Sequence, residues 1–379
     1  MTLERVAIAM SGGVDSSTAA AILKEAGYDL VGFSMRLWGR DRGSAEGESL
    51  QAGRCCSMQD LSDAGAVAAR LKIPCYVVDF REEFERTVVK PFIESYRAGL
   101  TPSPCVRCNA LMKFGHLVRM AEEVRATRIA TGHYARVSLD PGTGRHLLRQ
   151  AHDQKKDQSY FLFELNQAQL AKALFPLGDL KKEQVRRIAR CLGLPVAEKA
   201  ESQEICFIPD GDYAAFVERR FETAAGAPGR RAFSPGNIVD RQGRILGVHP
   251  GIHNYTIGQR RGLGVAHASA LYVLEIRPED NTVVVGSRDQ LGKCRCRVVR
   301  PNWISIPNLC GSLRVQAKIR SRHPAAPATI APDPGGGVDV LFDVPQPAVT
   351  PGQACVFYQE ETVVGGGWID RFPASNGEG

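Results

Sequence analysis

Near the start of the chain, Ser11-Gly12-Gly13-Val14-Asp15-Ser16-Ser17 brings together paired glycines, three hydroxyls and one carboxylate. Paired glycines allow a tight turn and let an anion approach backbone N–H groups closely. An apolar run, Val6 to Met10, precedes them and reads as a buried strand, and a helical pattern, Ser16 to Ala26, follows and stops at Gly27. A helix beginning there adds unpaired N–H donors and a dipole that favours negative charge. The chemistry is therefore phosphate binding. The loop lacks the Gly-Lys-Ser/Thr ending of a Walker loop and the third glycine of a dinucleotide fingerprint. Asp15 reads either as a Mg²⁺ ligand or as a cap of the helix.

A second set of reactive residues is sulfur. Thr101-Pro102-Ser103-Pro104-Cys105-Val106-Arg107-Cys108-Asn109 places two thiols three apart behind two prolines, which hold the entering chain extended. Asn109 to Val124 reads as a helix that Cys108 and Asn109 open, so its dipole and Arg107 would favour a thiolate. A third thiol lies in Ser202-Gln203-Glu204-Ile205-Cys206-Phe207-Ile208. Three arrangements stay open: plain structural thiols, a redox pair of Cys108 and Cys206 that handles persulfide sulfur, and Cys105, Cys108 and Cys206 as ligands of an iron–sulfur cluster. Cys55 and Cys56 are adjacent and awkward as a chelate. Cys75 and Cys191 lie in apolar patterns, and Cys294, Cys296, Cys310 and Cys355 fall in the β-rich end.

Strands are expected at Leu30 to Met35, Cys75 to Val78 and Arg128 to Thr131, alternating with helical patterns at Leu61 to Leu71, Asn109 to Val124 and Gln184 to Leu192. Strand, helix, strand at this spacing implies an α/β domain with a parallel sheet, whose ligands sit at the carboxyl ends of the strands. Gly39 to Arg54 is polar and reads as a surface loop. After Cys206 turn dipeptides multiply, and from Tyr272 short β-branched runs dominate: Tyr272 to Ile276, Thr282 to Val285, Leu313 to Ile319, Val338 to Phe342 and Ala354 to Tyr358. They suggest a small antiparallel β-barrel. The expected domains are 1–205 for nucleotide binding and catalysis, 206–285 as a central α+β linking domain, 286–373 as the barrel and 374–379 as a tail.

A chain of 379 residues with 44% hydrophobic content can build two or three cores. The 11 cysteines are odd in number and do not form a disulfide framework. No secretory leader and no apolar run of about 18 residues is visible. These features together imply a cytoplasmic protein with no membrane partner. The formal net charge of +7 is compatible with a polyanionic partner without requiring one.

The run SGGVDSS resembles the pyrophosphate loop of ATP pyrophosphatases, which adenylate a carbonyl oxygen. TPSPCVRCN, ATGHYARV, KKDQSYFLF, SQEICFI, NYTIGQRRGLG and TPGQACVFY follow in order. Together, from Arg5 to about Ile369, they resemble the bacterial tRNA-specific 2-thiouridylases. The resemblance implies an adenine-nucleotide-α-hydrolase-like N-terminal sheet, a central linking domain that binds tRNA and a C-terminal β-barrel that binds tRNA. It implies that Met10, Ser11, Gly12, Gly13, Val14, Asp15, Ser16 and Ser17 hold ATP, with Met35 and Gly132 near the adenosine. Cys108 matches the nucleophile and Cys206 the persulfide carrier, while Ser103, Pro104 and Cys105 match the stretch that meets the target base. His133, Lys156, Asp157, Gln158, Arg320, Ser321 and Gln353 match tRNA-contacting positions. A lone histidine at a strand end reads otherwise as a hydrogen-bonded rim residue, and Lys155-Lys156-Asp157 as a solvated turn. Some members of the family carry Asp where Cys105 stands, and the CxxC favours the cluster arrangement.

The expected reaction attaches AMP to the C2 oxygen of a wobble uridine, with Mg²⁺ assisting, and then exchanges that oxygen for sulfur. Its partners would be tRNAs for Lys, Glu and Gln and a cysteine desulfurase or sulfur-relay protein. Two alternatives remain: an adenylating enzyme of the same superfamily acting on a small molecule, and an iron–sulfur or redox carrier that uses ATP as a regulator.

Overall fold

The computed structural model describes residues 3–39, 58–201, 205–208, 211–222 and 233–371. Most of the polar loop after Gly39, the Cys55-Cys56 pair, Ser202-Gln203-Glu204 and the tail after Pro373 lie outside the described residues. The chain forms two compact units. One comprises Met1–Val89, Pro104–Gly211 and Glu361–Val363; the other comprises Lys90–Ser103, Asp212–Glu360 and Val364–Gly379.

In the first unit, β1 (Arg5–Ala9), β2 (Asp29–Arg36), β3 (Cys75–Asp79) and β4 (Arg128–Ala130) belong to one sheet. A hairpin of β5 (Arg136–Leu139) and β6 (His146–Arg149) follows, and then β7 (Ala173–Leu174). The sheet order is β3-β2-β1-β4-β7, and every pairing is parallel. β1 is central, and Val6, Ala7 and Ile8 have no exposure, as a strand covered on both faces requires. The helices Val14–Glu25, Met58–Leu71 and Lys182–Cys191 pack into the same core. Ala19, Ala20 and Ala21 are fully buried there, and their small side chains let the first of these helices lie close to its neighbours. Strands β2 and β3 lie on one side of β1, and β4 and β7 on the other. The carboxyl ends of β1 and β4 thus frame a topological switch point, where sheets of this class bind ligands.

One expectation needs correcting. The helix expected from Asn109 begins earlier: Pro104–Arg107 is helical and runs through the wider turns of Cys108–His116 into Leu117–Glu123. Pro104 stands at the first helical position, where its missing N–H would have had no partner anyway. Cys108 is therefore a full turn inside the helix, and the strongest end effect falls on the first turn, at Cys105.

In the second unit, the helix Tyr213–Glu222 accompanies a small sheet of β8 (Gly236–Val239), β9 (Ile245–His249), β10 (Tyr272–Arg277) and β11 (Thr282–Gly286). Its order is β10-β11-β8-β9, with β11 and β8 parallel. Next come β12 (Gly292–Trp303), β13 (Leu313–Lys318), β14 (Ala326–Pro332), β15 (Val338–Pro347), β16 (Ala354–Gln359) and β17 (Thr362–Ile369). They run β12-β15-β14-β13-β16-β17, and β12 pairs back onto β17. The result is the expected antiparallel barrel, closed so that no edge remains. β12 escaped the sequence reading because Arg295 and Arg297 alternate with the buried Cys296 and Val298. β14 escaped because prolines interrupt it.

Candidate active site

The phosphate loop leaves β1 at Met10, whose N–H donates to the Phe33 carbonyl at 2.8 Å. Gly12 has φ +69°, a conformation that favours glycine, and a Cβ there would stand 2.1 Å from the Asp60 carbonyl oxygen. The loop holds itself in shape. The Ser11 N–H donates to Ser16 Oγ at 3.1 Å, and Ser16 Oγ donates to the Gly13 carbonyl at 3.2 Å. Gly13 precedes the helix and has no side chain with which to cap it. Ser17 Oγ is fully buried and has no hydrogen-bond partner among the described residues. Gly132, just past β4, lies against this turn: a Cβ on it would meet Ser16 N at 2.6 Å. Met10, Gly12, Gly13, Asp15, Ser16, Ser17 and Gly132 thus come together at the switch point. Met35 is half-buried near the carboxyl end of β2, opposite Val78 of β3.

Behind the loop lies a charged network. Lys182 Nζ donates to both oxygens of Asp15, at 2.7 and 2.8 Å, and the Tyr134 hydroxyl donates to Asp15 Oδ1 at 2.8 Å. Lys182 also pairs with Glu201 at 2.8 Å, and Lys156 pairs with Glu201 at 2.6 Å. Burial alone would raise the Glu201 pKa, but hydrogen bonds from Lys156 and Lys182, with their charges, outweigh it and bring it down to about 2. Burial, followed by the Asp15 charge, pushes the Tyr134 phenol up, so it stays a donor. On the other side, Lys199 Nζ donates to the Gly12 carbonyl at 3.0 Å and pairs with Asp60 and Asp63. Burial opposes the Lys199 charge, but hydrogen bonds to the two carboxylates win and hold its pKa above the ordinary value. The phosphate loop is therefore clamped by two lysines from one downstream segment.

This arrangement bears on the expected metals. Both Asp15 oxygens are engaged, so a cation bound directly there would have to displace Lys182. Among the described residues, no three His, Cys, Asp or Glu side chains form a group that could hold a metal ion. Cys105 is exposed, Cys108 buried and Cys206 half-buried, and the three thiols are not gathered as cluster ligands. The residues as placed fit neither a directly bound Mg²⁺ at Asp15 nor a three-cysteine cluster. Cys108 and Cys206 do share a support. Arg107 Nε donates to the Thr87 carbonyl at 3.2 Å, and Phe207 packs edge-on against Phe84 with centroids 5.5 Å apart. Both cysteine segments therefore rest on the helical stretch 81–89.

The other expected positions have definite surroundings. His133 is 7% exposed, accepts or donates at Thr131 Oγ1 over 2.7 Å, and lies near the rings of Phe114 and Phe175. Burial, reinforced by the Lys113 charge, drives its pKa well down, so it is neutral. Asp157 accepts from the N–H groups of Ala151 and Ser159, and Gln158 Oε1 accepts from the Tyr134 N–H at 2.9 Å. In the second unit, Gln353 Nε2 donates to the carbonyls of Thr101 and Pro102 at 2.9 and 3.2 Å, which fixes the run leading to Ser103. Arg320 donates to the Pro347 carbonyl at 3.2 Å, and Ser321 follows it in the turn after β13. The sequence reading missed Lys182, Lys199, Glu201, Tyr134 and Asp60. The available signal was a lysine at the first position of an amphipathic helix, where an acidic residue suits the dipole.

The chain is similar to known proteins along nearly its whole length. A model described as the tRNA methyl transferase HUP domain matches residues 4–210. A tRNA methyl transferase PRC-barrel domain matches 229–287, and an aminomethyltransferase beta-barrel domain matches 293–369. The tRNA-specific 2-thiouridylase MnmA of Koribacter versatilis is 50% identical over 369 residues, 97% of this chain and 99% of its own. The protein of the same name from Solibacter usitatus is 49% identical, over 98% of this chain and 100% of its own. That from Geotalea uraniireducens is 49% identical, over 97% and 95%. Identity near one half, sustained from end to end across all three matched domains, places the chain in the family of tRNA-specific 2-thiouridylases.

Proposed function

We propose that this protein is an ATP-dependent tRNA uridine 2-sulfurtransferase, working through a persulfide. The observation that carries the proposal is the whole-length match to 2-thiouridylases, in a chain whose phosphate loop and two supported cysteines suit that chemistry. The matched domain models are described in terms of methyl transfer. That reaction would leave the phosphate loop and the two cysteine runs without a task.

In this reading ATP is a substrate. Its phosphates lie on the N–H groups of residues 12–17, with the buried Ser17 hydroxyl as a further donor. The uridine C2 oxygen attacks the α-phosphate, pyrophosphate leaves, and C2 gains a leaving group, AMP. Lys182 and Lys199 set the charge around the loop and keep it preorganised for that displacement. Cys206 receives sulfur as a persulfide from a cysteine desulfurase or relay protein. Its terminal sulfur attacks C2 and AMP departs. Cys108 then attacks the inner sulfur, which leaves 2-thiouridine and a Cys108–Cys206 disulfide for an external thiol to reduce. The wobble base must leave its stack to reach the site, which suits an anticodon loop. Tyr134, Asp157 and Gln158 support the site from within, and Gln353 fixes the chain that enters the Cys105–Cys108 helix.

The test is thiolation of unmodified tRNA with ATP and a desulfurase. Product should form together with AMP and pyrophosphate. Cys108→Ser should abolish thiolation and leave ATP binding intact. Undiminished thiolation by that variant overturns the proposal.

A further inference from the structure

Residues 254–274 contain two arginines, Arg260 and Arg261, and no Asp or Glu. They run from the end of the helical turn Ile252–Asn254 through a loop into β10 in the second unit. Its base is closed: the Gly258 N–H donates to the Val273 carbonyl at 2.8 Å, and the Val273 N–H donates to the Gln259 carbonyl at 3.0 Å. The Gln259 side chain braces it further, accepting from the Thr256 N–H and donating to the Arg261 carbonyl, each at 3.0 Å. Leu263 is buried in the core of this sheet, and Val265 and Leu271 pack against the same core. Gly262 and Gly264 take φ of +74° and +68°, which bends the chain back on itself. The loop is thus an anchored Ω-type element.

Its curl encloses an open cavity of about 600 Å³, lined by residues 260 and 262–271, among them Arg260, His267 and Ser269. Arg260 and Arg261 are exposed, and neither has an ion-pair partner among the described residues. Their neighbours differ. On the same sheet Arg244 is neutralised by Asp240, and Arg277 by Glu275. One uncompensated guanidinium, Arg260, lines a braced, carboxylate-free concavity large enough for one nucleotide, and a second, Arg261, follows it in the chain and is exposed. Guanidinium favours phosphate oxygens over two parallel N–H bonds.

We propose that this arginine loop is a phosphodiester-binding site that grips the tRNA backbone. The proposal rests on the tRNA reading above. Free phosphate or pyrophosphate shares the chemistry, and the experiment separates the two sources.

The experiment measures binding of unmodified tRNA to the full chain by anisotropy over a salt series, with pyrophosphate binding in parallel. Each phosphate contact contributes about 0.7–0.9 to the slope of log K against log salt. Arg260→Ala/Arg261→Ala should therefore flatten the slope by about 1.5 and weaken tRNA binding about tenfold at low salt. Affinity for an ATP analogue should not change. Ala266→Glu adds a carboxylate to the exposed wall without touching the arginines, and it should weaken tRNA in the same direction. A wild-type slope in the double variant overturns the proposal and leaves the tRNA reading standing. Lost pyrophosphate binding with unchanged tRNA binding overturns it in favour of a small-anion site. Wild-type protein that binds no tRNA overturns both.

Discussion

Lys182 is the residue whose removal should most disturb the phosphate loop. Its ammonium stands 2.7 Å from Asp15 and 2.8 Å from Glu201, with side-chain exposures of 10%, 31% and 25% for the three groups. Two unit charges at that distance attract by about 6 kcal/mol at an effective dielectric near 20. Desolvation offsets most of this, and Lys156 still serves Glu201 after Lys182 is gone. Lys182→Met keeps the length of the chain and removes the charge, and a net loss of about 2 kcal/mol is expected, felt first where Asp15 opens its helix. Amide hydrogen exchange of Val14–Glu25 reads this locally, and 2 kcal/mol corresponds to about 30-fold faster exchange. Asp15→Asn alone should cost a similar amount, because it removes one of the two carboxylates that compensate the Lys182 charge. The double variant should be no worse than Lys182→Met, since the neutral amide no longer leaves an uncompensated charge. Costs that simply add in the double variant would refute the coupling of Lys182 to Asp15.

Two other expectations test neighbouring features. Gly132→Ala places a Cβ 2.6 Å from Ser16 N and 2.7 Å from the Asp15 carbonyl carbon, both backbone. The loop must shift, so ATP-analogue affinity by calorimetry should fall, with a stability loss of about 1–3 kcal/mol. Glu201 titrates near 2 when folded against an ordinary 4.5, so its contribution is complete above pH 4.5 and is lost as pH falls through 2. Glu201→Gln should therefore cost about 1–2 kcal/mol at neutral pH, after allowance for solvent screening. Its deficit against wild type, followed by exchange across a pH series, should shrink between pH 4.5 and 2.

Much of this protein could be read in one dimension. Gly12 and Gly13 between an apolar run and a helical pattern marked the tight turn from β1 into its helix, because glycine at such a strand–helix junction is a local requirement. Parallel sheet and barrel followed from the spacing of apolar runs, whose periods record which faces are buried. Motif order along the chain was sufficient for the family.

What the sequence could not decide were relations between distant residues. Lys182 lies 167 positions from Asp15, and Lys199 lies 187 from Gly12. A charged side chain in an amphipathic helix looks solvated until the fold buries it against a partner. His133 was expected at the tRNA by resemblance and otherwise as a hydrogen-bonded rim residue, and only the fold shows it packed against Phe114 and Phe175, buried and neutral. For Cys105, Cys108 and Cys206 three arrangements stayed open, because sequence spacing carries no depth. The helix that starts at Pro104 leaves one of these thiols exposed and buries the next. Composition and period are properties of the chain itself, whereas burial and ion pairing arise only when distant segments close upon one another.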